Sequence, residues 1–580
     1  MIIRALRFIL ALLLSAASVL SIHAQTEPAI REKLCRVLQA EGPEQARLLA
    51  EISESGSKVV HDVLLAWTRD GLFLYDAGNG SKLPVELEDQ TDGDGKARAI
   101  RIDTGKFLTD GKNQELRLAA ADLTAAETSA PLRALINKAM ATLALSDPDP
   151  AARSTAVLKL GNSQKLANID VLQARLAKET DAGVQKNIRE SIAMLQLGDP
   201  DAKVQIAALQ QLGALKTIGS LEMVNAVAAK NAADPEVVKA SKISASRIGE
   251  HIAVVNFFGT IFRGLSLGSI LLIVTLGLAI TFGLMGIINM AHGEMIAIGA
   301  YTSYVVQNIF GTGFAFSVNL PFSCFGHPLG FGLSIPGMNS TGWCYESYFL
   351  VALPLSFLMA ALAGLVLERT VIRFLYRRPL ESLLATWGVS LVMQQLFRMV
   401  FGANNVQVNS PRWLLGHFTI NDVSLGYNRV FVIAFAVLIV AGTWLLLTKT
   451  PLGLLIRAVM QNRDMASCLG VRTARVNMLT FAFGSGLAGL AGAFLSQIGN
   501  VGPSLGQSYI VDSFMTVVVG GVGSIVGTVY SAVGIGTSDQ VLQQVTGSPV
   551  TGKIVVLICI ILFLQWKPGG LFSIRSRSLD

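Results

Sequence analysis

Charged residues are scarce in this sequence: they make up 15% of 580 residues, whereas soluble domains carry about a quarter. This shortage excludes an ordinary soluble protein. The five cysteines are too few for a disulfide scaffold. Cys324 and Cys344 fall in one predicted external loop, and whether they pair is left open. The net charge of +7 does not indicate a nucleic-acid partner, because the basic residues lie in loops beside apolar runs.

The apolar residues, which make up 51% of the chain, are concentrated in its second part. From Ala253 onward, runs of about 20 apolar residues recur, the length that a helix needs to cross a bilayer. The sequence therefore predicts an all-α polytopic membrane protein with about eight spans. The predicted spans are 262–286, 290–310, 348–367, 381–401, 429–447, 476–498, a Gly-rich pair of short spans or re-entrant segments at 510–544, and 550–566.

The first 24 residues have the layout of a secretory signal. Arg4 and Arg7 precede the apolar run Phe8–Leu14, and small residues follow towards Ala24. Cleavage near Ala24 and retention as an anchor are both open, and either outcome exports the domain that follows. Residues 25–140 form a poorly defined exported segment, in which Val63–Tyr75 suggests a β-hairpin.

Residues 141–250 carry a repeated helical pattern. SDPDPAARSTAVLKLGN, TDAGVQKNIRESIAMLQLG, GDPDAKVQIAALQQLG and ADPEVVKASKISASRIG each place an Asp before an amphipathic stretch, which is a helix-start signal. The spacing predicts stacked helical pairs of the HEAT type. Such a stack offers a surface to a partner or serves as a spacer, and the sequence leaves both possibilities open.

The distribution of Lys and Arg predicts the orientation of the membrane part. Glu368–Arg378 contains four Arg, Lys449–Arg475 contains five basic residues, and the tail 573–580 is also basic. Positively charged loops stay in the cytoplasm. The C-terminus is therefore expected inside, and the N-terminal domain outside.

A charged island interrupts the apolar region after a helix break. Two glycines precede Asn289 in Gly283–Asn289, which loosens the helix before it restarts, and the Asn289 side chain is expected to cap the new helix. His292 and Glu294 follow at once. Ionisable residues at membrane depth are costly unless they are paired or face a wet cavity. His292 and Glu294 either line a solute path or merely fix a helix–helix contact, and the sequence leaves both interpretations open.

A second break lies in Val517–Gly536, where Gly520, Gly521 and Gly523 interrupt an apolar run. Transporters built from inverted repeats place two such breaks around a solute site. The alternative is that these glycines allow close helix packing. With Asn289, His292 and Glu294, the candidate path is completed by the side chains of Thr386, Gln394 and Gln395. Most of this lining is uncharged, which favours an amide-like solute.

Signatures of enzymes and of metal sites are weak in this sequence. GSPVTGKI, starting at Gly547, matches a phosphate loop but ends in Ile554 where Ser or Thr must meet magnesium. An acidic stretch at Asp89–Lys96 fails the ligand spacing of a calcium loop. The chain is therefore predicted not to be an enzyme and to bind no metal or cofactor of its own.

The inner loop Thr450–Val476 is basic and amphipathic. Its sequence predicts a short helix that contains Asp464 and Ala466 and ends at Gly470. The loop contacts a cytoplasmic partner or lies on the lipid headgroups, and its composition does not decide between them.

Several of these stretches resemble one family. Gly264–Tyr301, with its NMAHGE sequence, resembles the opening of the permease subunits of branched-chain amino acid ABC importers, and GGVGSIVGT and FLQWKPGGLF are also similar to that family. DMASCLGV resembles the EAA-x-x-x-G coupling loop, with Asp464 in place of Glu and Met465 in place of the first Ala. The resemblance covers about Gly264–Phe572 and defines a permease domain at 251–572. Within the family, Leu383–Val408 and Asn500–Met515 look closest to the first permease subunit of the urea importer.

The resemblance implies a bacterial inner-membrane complex with a second permease subunit, two cytoplasmic ATPase subunits and a periplasmic solute-binding protein. ATP would be used by the ATPase subunits, which would contact Arg463, Asp464, Ala466 and Gly470. Some members of the urea branch carry a similar exported N-terminal extension. Urea is the expected solute, with branched-chain amino acids or short amides as the alternative. Two other classes stay open: a stand-alone channel or secondary transporter, and a membrane-anchored scaffold whose helical repeats bind a partner.

Overall fold

The structure is a computed structural model that describes residues 27–40, 42–53, 55–76, 82–91, 96–109, 115–126, 128–231, 234–286, 288–324, 327–340, 342–375 and 378–572. The predicted signal at 1–24 and the tail at 573–580 lie outside the described residues. The chain divides into two compact units, Met1–Ile252 and Ala253–Asp580. Each unit has its own hydrophobic core.

The first unit begins with three helices and continues into a sheet. The helices are α1 (27–39), α2 (Gly42–Ser53) and α3 (Lys58–Thr68). The strands are β1 (Leu72–Asp76), β2 (Lys82–Thr91), β3 (Ala97–Arg101), β4 (Arg117–Leu118) and β5 (Thr124–Ala125). The sheet is antiparallel with the order β4-β3-β2-β1-β5. This unit therefore contains a five-stranded sheet that the all-α prediction did not include.

The predicted hairpin at Val63–Tyr75 is wrong, because the first half of this stretch belongs to α3. Val60, Val63, Leu64 and Trp67 recur at helical spacing and are all buried in one cluster. The chain then turns at residues 69–71 and enters β1, which pairs with β2 and β5. Helical periodicity thus decided the structure of the first half of this stretch.

The rest of the first unit is helical. Its helices are α4 (Ala130–Leu145), α5 (Pro150–Gly161), α6 (Asn168–Lys178), α7 (Ala182–Gln196), α8 (Ala202–Leu215) and α9 (Leu221–Lys230), followed by the start of α10 (Pro235–Met285). The predicted helix starts are confirmed. Asp149, Asp181 and Asp201 accept backbone N–H groups at the starts of α5, α7 and α8, and Asp234 does so for α10. The HEAT arrangement itself stays a prediction.

A buried ion cluster joins α5 to the end of α6. Glu179 receives two hydrogen bonds from Arg153, at 2.9 and 3.0 Å, and a third at 2.9 Å from Arg175. Burial raises the pKa of Glu179, but the hydrogen bonds from Arg153 and Arg175 outweigh it and lower the pKa to about 2. The carboxylate is therefore charged at neutral pH and holds the two helices together.

The second unit contains the remainder of α10 and eleven further helices among the described residues. They are α11 (His292–Phe310), α12 (Trp343–Glu346), α13 (Tyr348–Thr370), α14 (Pro379–Phe401), α15 (Tyr427–Lys449), α16 (Pro451–Gln461), α17 (Arg463–Cys468), α18 (Thr473–Leu495), α19 (Leu505–Gly520), α20 (Ile525–Thr546) and α21 (Pro549–Trp566). Two hairpins lie in the loops: β6 (Gly313–Cys324) with β7 (His327–Pro336), and β8 (His417–Ile420) with β9 (Val423–Gly426). The thiol of Cys344 is free and exposed.

Six helices of the described chain are long and apolar enough to cross a membrane. They lie at Pro235–Gly283, Trp343–Phe374, Leu380–Phe401, Tyr427–Lys449, Thr473–Leu495 and Pro549–Trp566. The predicted count of about eight also included α11 and the 510–544 pair, which form helices but do not meet both criteria. α11 carries polar residues along its length, and α19 has only 16 residues.

Small residues bring α11, α13 and α18 into close contact at the centre of the second unit. Gly299 of α11 faces the backbone of Gly489, and Gly492 faces the backbone at Ile296. A side chain at any of these glycines would collide with the neighbouring helix. Close approach of this kind is how membrane helices gain packing energy without a hydrophobic driving force. At this centre, glycines therefore serve close helix packing. The packing positions the start of α11, which carries the ionisable residues.

Candidate functional site

The helix break before α11 is built by glycine and asparagine. α10 ends at Met285, and Gly286 has a φ of 63°, a conformation that glycine adopts without steric cost. The side-chain oxygen of Asn289 accepts the N–H of Ala291 at 3.0 Å. The N-cap residue of α11 is Ala291, without a side-chain cap, so the capping role of Asn289 stays a prediction and its bond to Ala291 braces the preceding turn. This bond aligns the chain for the first turn of α11, which carries the two ionisable residues.

Glu294 is fully buried and is held by α14. Ser390 Oγ and Gln394 Nε2 donate hydrogen bonds to its Oε1 atom, at 2.8 and 3.0 Å. One turn earlier, the N–H of Met290 donates to Thr386 Oγ1 at 3.2 Å. Thr386, Ser390 and Gln394 recur every four residues and so share one face of α14. These contacts form the α11–α14 seam.

His292 contacts a different neighbour. Its side chain is fully buried, and its Nε2 atom lies 3.3 Å from the carbonyl oxygen of Val274 in α10. Because a carbonyl only accepts, Nε2 must carry the hydrogen in this contact. His292 therefore ties the start of α11 to α10, while Glu294 ties it to α14.

Four polar atoms of this region have no hydrogen-bond partner within the described chain. They are Asn289 Nδ2, His292 Nδ1, Glu294 Oε2 and the Tyr301 hydroxyl, all buried. Buried polar atoms are rarely left unpaired, so such a group indicates internal water or a polar ligand. The seam thus has hydrogen-bonding capacity that its own side chains do not use.

The structure brings together five of the predicted lining residues and separates one. Asn289, His292, Glu294, Thr386 and Gln394 lie along α11 and its contacts with α10 and α14. Gln395 lies on the exposed side of α14, one residue away from the seam. Sequence reasoning missed Ser390, although its position four residues from both Thr386 and Gln394 was a usable signal.

Gly520, Gly521 and Gly523 lie at the turn between α19 and α20. Gly521 and Gly523 have φ values of 98° and 81°, which residues with a side chain rarely adopt. Gly520 packs against the backbone of Gly527, so that α19 and α20 approach closely. The predicted pair of short segments at 510–544 is therefore observed as two helices joined by a tight turn.

The two glycine breaks meet in space. A methyl group built on Gly283 would lie 3.2 Å from Gly523 Cα and 3.0 Å from Met460 Cε of α16. Met460 also packs with the cluster that contains Ile280 and Ile456. The end of α10, the α19–α20 turn and the inner loop therefore converge at one point.

The C-terminal segment Lys567–Phe572 closes the same turn from another side. The N–H groups of Leu571 and Phe572 donate to the carbonyl oxygens of Val519 and Gly520, at 2.8 and 3.2 Å. These carbonyls belong to the last turn of α19, where no intrahelical donor remains. The C-terminal segment thus completes the end of α19 and fixes the geometry of the turn.

The inner loop has the predicted short helix. Asn462 caps α17 by accepting the N–H of Met465 at 2.9 Å, and Gly470 follows the helix with a φ of 86°. Ala466 is buried against the loop's own core. The opposite side of α17 is apolar and uncovered, since Met465 is 60% and Leu469 82% exposed. Arg463 is partly buried and Asp464 is exposed beside them.

These features define a class of protein: a polytopic membrane protein, with a polar seam between its helices and a folded inner loop that presents an apolar surface. Within the described chain, no cluster of three or more His, Cys, Asp or Glu side chains is placed to hold a metal ion.

Comparison with known proteins defines the family. The family described as branched-chain amino acid transport system / permease component matches residues 260–564. The chain therefore belongs to this family of transport permeases, and the match falls within the second unit.

Individual relatives match the same part of the chain. The high-affinity branched-chain amino acid transport system permease protein LivH of Escherichia coli (strain K12) is 26% identical over 322 residues, 55% of this chain and 96% of that protein. The corresponding protein BraD of Pseudomonas aeruginosa is 24% identical over 327 residues, 55% of this chain and 97% of that protein. The ribose import permease protein RbsC of Bacillus subtilis is 34% identical over a shorter 142 residues, 23% of this chain and 42% of that protein. No solved structure shows a significant match.

Proposed function

We propose that this chain is a membrane-spanning subunit of an ATP-driven importer of branched-chain amino acids. The observation that carries the proposal is the family match across residues 260–564, which includes both glycine breaks and the inner loop. The relatives that are covered almost completely are named as permeases for these amino acids. This support favours branched-chain amino acids over urea as the solute. The expectation of urea rested on a resemblance to one branch within the family.

The proposed assembly contains a second permease subunit, two cytoplasmic ATPase subunits and a periplasmic binding protein. The exposed Met465 and Leu469 side chains support an ATPase contact, because α17 is backed by a packed core and its outer side is uncovered. ATP would be consumed by the partner subunits, and no cofactor is proposed for this chain.

The proposed path for the solute includes the α11–α14 seam. Glu294 and its partners are buried inside this chain, so we assign them to the inner wall that supports the path. Their unpaired polar atoms supply hydrogen-bonding capacity for water or for a polar solute that passes. Gly520, Gly521 and Gly523 would allow the wall to bend when the inner loop moves.

The proposed location is the inner membrane of a bacterium, with the first unit in the periplasm and the C-terminus in the cytoplasm. The basic residues support this orientation, since four Arg follow Glu368 and five basic residues lie in Lys449–Arg475. The role of the first unit in transport is tested by deleting residues 27–250: unchanged uptake would exclude a scaffold as the working part.

Uptake of labelled leucine and labelled urea, in cells that lack other routes for either, tests the solute. We expect leucine uptake that depends on this chain and no dependent urea uptake. The reverse result would assign the chain to urea while leaving the permease interpretation intact. A stand-alone channel or secondary transporter is tested by purification: transport by this chain alone in vesicles without ATP would replace the importer proposal, whereas co-purification of an ATPase supports it.

A further inference from the structure

An ion pair in the second unit is not explained by the seam or by the inner loop. Lys553 Nζ of α21 lies 3.0 Å from Asp512 Oδ2 of α19. The two side chains are 45% and 21% exposed, so both remain accessible from outside the chain. α20 passes beside the pair and adds a second acid, Asp539, which accepts a hydrogen bond from Gln543 at 2.7 Å.

The position of this pair is costly unless it has a use. α21 is one of the six apolar helices that are long enough to cross a membrane. Charged groups inside such helices are rare and mark solute or ion pathways when they do occur. A partly exposed pair in water contributes little to stability. A purely structural role would thus add little to the stability of these apolar helices.

An apolar cluster lies directly beside the pair on the same helices. Met515 and Val519 of α19 pack with Val556 and Ile560 of α21. Met515 follows Asp512 by three residues, and Val556 follows Lys553 by three, a rise of about 4.5 Å in each helix. Both helices run in the same direction, because each is joined by a short turn to α20, which lies between them in sequence. The apolar cluster therefore lies on one side of the ion pair.

We propose that Asp512 and Lys553 form a transfer site for a zwitterionic α-amino acid on its way through the permease. Asp512 binds the ammonium group, Lys553 binds the carboxylate, and the branched side chain contacts Met515 and Val556. This inference rests on the proposed function and identifies how this chain recognises its solute. It differs from the expectation of an uncharged lining, since a charged pair beside an apolar surface suits an amino acid better than urea.

The charge balance of this step is favourable. Without solute, the two side chains neutralise each other. When the pair opens around a zwitterion, one ion pair is exchanged for two, and the total charge of the site is unchanged. No isolated charge is left beside the apolar cluster, where it would be costly. A neutral solute such as urea offers no such exchange and leaves the pair closed.

The test compares neutral and exchanged variants in cells that carry the complete importer. Lys553→Gln, Asp512→Asn and the double exchange Asp512→Lys with Lys553→Asp are assayed for labelled L-leucine uptake. Uptake is divided by the amount of complex, measured as ATPase that co-purifies with the chain. Glu381→Gln is the matched control, because it removes one acid from the exposed Arg378–Glu381 pair of the same unit.

We expect each neutral variant to lower leucine uptake per complex about tenfold or more, since a lost charged hydrogen bond has at least this effect. The double exchange is expected to restore assembly, because the ion pair is kept. It is not expected to restore uptake of L-leucine, because the acid and the base have changed places relative to the apolar cluster and now suit the D-enantiomer. The control is expected to match the unaltered chain. Wild-type uptake in the neutral variants, or its full recovery in the double exchange, would reduce the pair to a helix–helix contact. Absence of leucine uptake with the unaltered chain would overturn the proposed function and this site together.

Discussion

Gly283 of α10 and Gly523 of the α19–α20 turn are in contact, although they lie at opposite ends of the permease part of the sequence. A methyl group on Gly283 would lie 3.2 Å from Gly523 Cα, a distance closer than ordinary packing allows. Met460 of the inner loop contacts the same glycine. A displacement of the inner loop would therefore move both helix breaks, because Met460 and Gly523 both lie against Gly283.

Gly283→Ala is expected to reduce leucine uptake per assembled complex. The added methyl must displace Met460, the turn at Gly523 or both, and overpacking of this kind costs about 1–3 kcal/mol. Gly388→Ala in α14 is the matched control, because nothing lies within 4 Å of its built Cβ atom. Equal uptake by the two variants would show that the contact at Gly283 does not limit transport.

Gly470→Asp in the inner loop is expected to uncouple ATP hydrolysis from uptake while the spans stay folded. Gly470 ends α17 with a φ of 86°, which costs about 1–2 kcal/mol for a residue with a side chain. Gly402→Asp is a close control, since Gly402 has a φ of 89° and, like Gly470, open space around its built Cβ atom. Charge reversal at Arg463 is expected to act in the same way as Gly470→Asp.

Binding of the ATPase to each inner-loop variant, together with uptake per ATP hydrolysed, checks this prediction. If Gly470→Asp binds the ATPase and transports as the unaltered chain does, the loop has no part in coupling. If Gly402→Asp fails equally, the defect is a general response to strain in loops.

His292→Ala and Glu294→Ala are expected to reduce transport more than they reduce the amount of assembled protein. Each removes one of the tethers at the start of α11, to Val274 and to the α14 residues Ser390 and Gln394. Uptake per complex is the deciding quantity. A parallel fall in uptake and assembly would mean that the two side chains only hold helices together.

Gln394→Ala is expected to reproduce the effect of Glu294→Ala, because it removes a hydrogen bond to the buried carboxyl group. Gln395→Ala is expected to have a smaller effect, since Gln395 lies on the exposed side of α14. The two substitutions are chemically identical and adjacent in sequence. Equal losses in uptake would place the working surface of α14 outside the seam.

The first unit is expected to lose stability in acid through Glu179. The pKa of this carboxyl group falls from its ordinary 4.5 to about 2 in the fold, so its contribution is complete above about pH 4.5 and disappears as the pH falls towards 2. Glu179→Gln is expected to destabilise this unit by about 3 kcal/mol at neutral pH, because Arg153 is left buried without its partner.

Hydrogen exchange of amides in α5 and α7 measures this loss in the intact chain. Glu51→Gln, in the exposed pair with Lys33, is the control and is expected to leave the exchange unchanged. If Glu179→Gln retains the same loss of protection between pH 4.5 and 2 as the unaltered chain, another group controls the acid response.

Local signals in the sequence were sufficient for several parts of the fold. Aspartates before amphipathic stretches gave the helix starts, and Gly470 gave the end of α17. Each of these features is decided within four or five residues of the chain. They could be predicted because no distant partner is needed to satisfy them.

Features that depend on distant residues could not be predicted in this way. The sheet in the first unit was missed although Val85 and Leu87 alternate with acidic residues in β2, because two of its five strands have only two residues and their partners are distant in sequence. The Asp512–Lys553 pair joins helices whose packing no local pattern specifies. The role of Ser390 follows from its hydrogen bond to Glu294, which only the packing of α14 against α11 shows.

The docking of Lys567–Phe572 onto the end of α19 has a consequence for how the protein is made. The ribosome synthesises α19 and α20 well before Leu571 and Phe572, so the carbonyls of Val519 and Gly520 wait for donors that are made only after α21. A message that ends early would still encode all six apolar spans, yet its product would leave these carbonyls without their partners. The end of α19 therefore completes its hydrogen bonds only after all six apolar spans of the described chain have been translated.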